Sequence, residues 1–159
     1  MEDDQTFPTL KKFMTPQTTG LIIGGLLPAF FFGLSGVFAK PATQAGISTG
    51  FYLTILGLAA ASVGLLFCLI SPDRTISFRS GGLTAIVGVT WAIAAGLVAV
   101  ALTSYGVPVA RLVPLYNMNT LVAVLLALVV FSEWRDVNAV RLLIGSLLIV
   151  VGGSLVATS

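Results

Sequence analysis

Histidine is absent from this chain, and cysteine occurs once, at Cys68. One thiol cannot close an internal disulfide, and a His/Cys metal cage has no ligands to draw on. No metal site and no cofactor are expected. Charge is scarce as well. Only 9% of the 159 residues are charged, whereas a soluble domain carries about 25%. Eight Lys/Arg and six Asp/Glu cannot keep the surface of a soluble protein of this size wet. Lipid must take the place of water over most of it. No acid lies deep inside an apolar run, which weakens a carboxylate proton relay and recognition of a cation by a buried acid. No basic stripe interleaved with aromatics is present, so nucleic acid is not an expected partner. Nor is an enzyme expected. The sequence offers no histidine base, no paired carboxylates in a cavity and no glycine-rich phosphate loop ahead of a lysine.

What remains is apolar. Hydrophobic residues make up 57% of the chain, and the mean hydropathy is +1.04. Five continuous apolar runs cover residues 20–39, 50–70, 82–103, 107–131 and 142–157. Most reach the length of about 20 residues that a helix needs to cross about 30 Å of hydrocarbon. The last is shorter. Continuous runs exclude a transmembrane barrel, whose strands alternate. The expected fold is an all-α membrane protein with five transmembrane helices. Residues 1–19, with Glu2, Asp3, Asp4, Lys11 and Lys12, form a polar cytoplasmic leader. Residues 20–157 form a single five-helix transmembrane domain. The gaps carry helix-ending or charged residues. These are Lys40-Pro41 with Gly46, Ser71-Pro72-Asp73-Arg74, Tyr105-Gly106-Val107-Pro108 and Glu133-Trp134-Arg135-Asp136.

Charge asymmetry sets the expected orientation. Lys11, Lys12, Arg74, Arg79, Arg135 and Arg141 fall on one side, Lys40 and Arg111 on the other. Positive residues stay in the cytoplasm. The N-terminus is therefore expected inside the plasma (inner) membrane and the C-terminus on the opposite side.

Small residues recur at helical spacing. Gly50, Gly57, Ala61 and Gly64 mark the second run, Gly88, Ala92 and Gly96 the third, Gly145, Gly152 and Gly153 the fifth. In lipid, close backbone approach at such positions is a main source of helix association. Pro28 and Pro114 interrupt the first and fourth runs, and each is expected to bend its helix.

The fourth run is the polar one. Arg111 stands about one turn inside its end, and Asn117 and Asn119 fall near its middle. At about 100° per residue, Arg111, Tyr116 and Asn119 share one broad face, while Asn117 and Thr120 share another. Two readings are open. In one, Arg111 snorkels to headgroups and the asparagines bond across helices. In the other, Arg111, Tyr116, Asn117, Asn119 and Thr120 line a solute path, with Trp91 of the third run as a wall. Lys40 and Glu133 are helix-end charges. Glu133 is expected to cap a neighbouring helix or to pair with Arg135 or Arg141.

These features resemble the EamA-like domain of the drug/metabolite transporter superfamily. The resemblance runs from Gly33-Leu34-Ser35-Gly36-Val37-Phe38-Ala39-Lys40, through the turn at Tyr105-Gly106-Val107-Pro108-Val109-Ala110, to Val113-Pro114-Leu115-Tyr116-Asn117-Met118-Asn119-Thr120-Leu121. The ending Val130-Phe131-Ser132-Glu133 resembles that family's leucine-glycine-glutamate, with Ser132 in the glycine's place. A glycine-rich last helix follows. Pro114 to Trp134 is also similar to the sugar-uptake branch. The resemblance implies an EamA-like bundle and transport of a small solute or metabolite. It also implies a second five-helix half, since most relatives join two halves of inverted topology. The expected partners are thus the lipid bilayer, a small-molecule solute, and a second copy (a homodimer) or a related five-helix subunit. The alternative is a membrane scaffold or accessory subunit of a larger complex that transports nothing itself.

Overall fold

The computed structural model describes residues 16–72, 75–135 and 137–159, and every regular element among them is helical. Five helical stretches are long and apolar enough to cross a bilayer. They are α1 (Pro16–Gln44), α2 (Thr49–Ile70), α3 (Phe78–Ser104), the stretch Val109–Val130, and α6 (Ala139–Ala157). The fourth stretch consists of two helices, α4 (Val109–Tyr116) and α5 (Asn119–Val130). Of the expected polar leader, residues 1–15 lie outside the described residues, as does Arg74, while Pro16 to Thr19 already belong to α1.

Several helix ends differ from the hydropathy reading. The first helix does not stop at Lys40-Pro41 but continues to Gln44. Pro41 leaves the carbonyl four residues back without its N–H, yet its own carbonyl accepts from Ala45 N at 3.0 Å. The helix ends at Gly46, whose φ of 87° suits glycine. The third helix begins at Phe78, four residues ahead of its apolar run. A reciprocal serine cap starts it: Ser77 Oγ accepts from Ser80 N at 3.1 Å, and Ser80 Oγ accepts from Ser77 N at 3.0 Å.

The fold divides between Ala39 and Lys40. In the first unit, α1 widens into a π turn over Ile22–Leu26, where the Leu27 N–H reaches back to Ile22 O. Pro28 lies just beyond and has no N–H to offer Gly24 O. A π turn is a common way for a helix to absorb such a loss.

In the second unit, α2 pairs with α3, while α4 and α5 both pair with α6. The first pair meets where Leu53 of α2 lies against Gly96 of α3. Gly96, Ala99 and Leu102 are buried there. Beyond that point α2 is exposed from Gly57 to Ile70. The second pair is tightest where Gly153 of α6 meets the backbone of α4. A Cβ on Gly153 would stand 2.8 Å from the Pro114 carbonyl oxygen. Ala99, Leu102 and Leu128 are the buried apolar side chains among the described residues. Gly96 and Gly153 add close helix approaches of the kind that associates helices in lipid. The other small-residue positions, including Gly57, Gly64, Gly88, Gly145 and Gly152, have no neighbour within 4 Å of where a Cβ would point.

Candidate functional site

Proline 114 sets up the local geometry of the fourth stretch. Its ring removes an N–H from α4, and its own carbonyl faces Gly153 across the helix pair. Four residues later the helix overwinds. The Met118 N–H, which would serve Pro114 O in an α-helix, donates to Leu115 O at 3.2 Å. The Thr120 N–H donates to Asn117 O at 3.1 Å, and the Leu121 N–H to Met118 O at 3.1 Å. Bonds three residues back instead of four are the 3₁₀ pattern. The helix therefore breaks at Asn117 and Met118, between α4 and α5. The expected bend from Pro114 takes this form: the break lies C-terminal to the proline, beside the contact with α6.

The break sits at the middle of the 22-residue stretch Val109–Val130, and it gathers polar groups. Thr120 is half-buried, and its Oγ1 donates to Asn117 O at 2.8 Å, so that carbonyl serves both the backbone and the side chain of Thr120. The Asn117 and Asn119 side chains are exposed, and neither amide has a hydrogen-bond partner among the described residues. Among the described residues, the cross-helix asparagine bonds of the first reading are not present. Tyr116 lies on the last turn of α4, within electrostatic range of the Tyr52 phenol on α2. Tyr52 is a neighbour that the sequence did not single out. Its polar tip sits one residue before Leu53, the residue that meets Gly96, and only the pairing of helices reveals its position.

The remaining candidates stand apart from this cluster. Arg111 is exposed on the first turn of α4 and forms no ion pair among the described residues. Trp91 is 46% exposed at the middle of α3, on the half that does not meet α2, and makes no ring contact among the described residues. Lys40 is exposed on the last turns of α1.

Glu133 does not play the capping or pairing role expected of it. It forms no ion pair among the described residues. The start of α6 is capped by Asn138, whose Oδ1 accepts from Arg141 N at 3.0 Å. Arg135 instead lies over the Trp134 ring, 5.2 Å from its centre. The turn at Ser132 adopts a φ of 57°. That left-handed residue ends α5 as a glycine would and opens the 3₁₀ turn Glu133–Arg135. Glu133 then stands at the rim of a groove of about 290 Å³ lined by Ala123, Ala127 and Leu128 of α5 and Leu142 of α6.

Among the described residues, no group of His, Cys, Asp or Glu is placed to hold a metal ion. Comparison with family models, with curated proteins and with solved structures returns no match for this chain.

Proposed function

We propose that this chain is a subunit of a small-solute transporter in the plasma membrane, working with a second copy or a related five-helix partner. The observation that carries the reading is the pair of amides, Asn117 and Asn119, without a partner among the described residues, at the helix break in mid-span. An unbonded amide in hydrocarbon is costly, and broken helices in a bilayer are tolerated where they line water or are covered by protein. A polar break at the midplane is a feature of transporter sites formed between repeated halves. Tyr116, Thr120 and Tyr52 would share the path, with Arg111, Lys40 and Trp91 as outlying members. The resemblance to EamA-like domains points the same way. The charge asymmetry supports an N-terminus in the cytoplasm and a C-terminus on the opposite side.

Uptake or efflux by proteoliposomes tests this reading, with metabolite mixtures screened first and Asn117→Leu and Asn119→Leu measured next. Loss of transport in both variants, with folding retained, supports the path. Unchanged transport in both removes these residues from it.

A second reading is favoured by a different observation. The small-residue stripe Gly57, Ala61 and Gly64 on α2 is exposed among the described residues. An accessory subunit of a larger complex would cover it. Crosslinking in native membranes separates the two: self-pairing or pairing with a similar five-helix chain supports transport, and pairing only with an unrelated complex supports the accessory role.

A further inference from the structure

The groove beside Glu133 belongs to neither helix break nor solute path, and its chemistry is ordered along its length. At its membrane side Ala123 and Ala127, one turn apart on α5, cut a furrow whose floor is the buried Leu128 and whose far wall is Leu142 of α6. At its end stands Glu133, the only acid among the described residues. Arg141 is next to Leu142 on the first turn of α6, and it has no acidic partner among the described residues. Trp134, 56% exposed, sits beside them with Arg135 on its ring, the kind of aromatic that settles at a membrane–water boundary.

We infer that this groove is a binding site for a membrane phospholipid whose headgroup carries a protonated primary amine, of the phosphatidylethanolamine class. The headgroup ammonium donates to the Glu133 carboxylate, the phosphate lies against Arg141, and the first part of one acyl chain fills the furrow at Ala123 and Ala127. The occupant follows from charge complementarity. A carboxylate lining an apolar furrow and a guanidinium one residue from its Leu142, neither with an ion-pair partner among the described residues, match a zwitterion with a hydrocarbon tail, and each bond formed is charge-assisted. A purely anionic lipid would satisfy Arg141 and leave Glu133 repelled. The space of about 290 Å³ suits part of one chain, not a whole lipid. The site is independent of the transport reading and stands or falls without it.

Native mass spectrometry of the purified full chain, titrated with lipids of identical acyl chains, tests the inference. Phosphatidylethanolamine is expected to bind about tenfold more tightly than phosphatidylglycerol, the scale of one charge-assisted bond. N-acetylated phosphatidylethanolamine, which keeps the phosphate and chains but loses the cation, is expected to bind like phosphatidylglycerol. Glu133→Gln should remove the preference and Glu133→Asp should retain part of it. Ala127→Phe should lower binding of phosphatidylethanolamine by filling the furrow. Equal binding of the amine, acetylated and glycerol lipids to the unaltered chain overturns the inference without any variant having to fold. So does a preference that survives Glu133→Gln.

Discussion

The contact between Gly153 and the Pro114 carbonyl offers the sharpest test of how these helices are held. Replacing Gly153 with alanine places a Cβ 2.8 Å from a backbone oxygen and 3.4 Å from Met118 Cγ. A backbone atom cannot swing aside, so α4 or α6 must move. Overpacking of this kind costs about 1–3 kcal/mol. The same substitution gains about 0.8–1.0 kcal/mol of helix propensity, which would blur a single measurement. Gly152 supplies the control. It is the neighbouring helical residue, and nothing lies within 4 Å of its Cβ position. The propensity gain cancels in the difference, so Gly153→Ala should be less stable than Gly152→Ala by about 1–3 kcal/mol. Gly96→Ala is intermediate, because its Cβ would meet only the end of the Leu53 side chain at 3.2 Å, which can rotate. The assay is unfolding of the purified chain in mixed micelles with increasing SDS, followed by the fluorescence of Trp91 and Trp134. Equal stability of Gly153→Ala and Gly152→Ala would refute the claim that the α4–α6 contact is tight.

Other expectations follow from single residues. Ser132→Gly should stabilise the chain by about 0.5–1 kcal/mol, since the φ of 57° costs serine what it does not cost glycine; Ser132→Val should destabilise it in the same unfolding assay. Asn138→Ala should cost about 1 kcal/mol by removing the cap on α6, and Asn138→Asp should recover most of it. In a Cys68→Ala background, Asn119→Cys should react with a membrane-impermeant thiol reagent in intact vesicles, whereas Leu126→Cys on the same helix should not. Equal labelling of the two would argue against water at the break.

The five helices long and apolar enough to cross a bilayer were legible because their apolar runs are long and continuous, and no partner is needed to recognise such a run. Their ends were less so. Ser77 and Ser80 cap each other through atoms that hydropathy does not weigh, and Pro41 reads as a stop although the helix tolerates it. The polar stretch of the fourth run was visible as residue types. The position of its break was not, because it arises beside a contact with α6 that joins residues far apart in sequence. For the same reason the spacing of glycines revealed the candidate packing positions but not that Gly96 and Gly153 meet closely packed neighbours from another helix. The turn before Glu133 was not legible, because Ser132 looks like an ordinary polar residue. Its left-handed backbone is a property of the folded turn.

The π turn in α1 has a consequence for any comparison of positions along that helix. A π turn contains one residue more than the α-helical turn it replaces, so it acts as a rotational offset of about 100° between the residues before it and those after it. Thr18 and Thr19, ahead of Ile22–Leu26, are therefore out of phase with Phe30 and Phe31 behind it. A single helical wheel drawn through Pro16–Gln44 would put the wrong residues on a common face. Deleting one residue from Ile22–Leu26 would restore phase and turn the leading end about its own axis. At this place a one-residue change in length, which alters no chemistry, would redirect every side chain upstream.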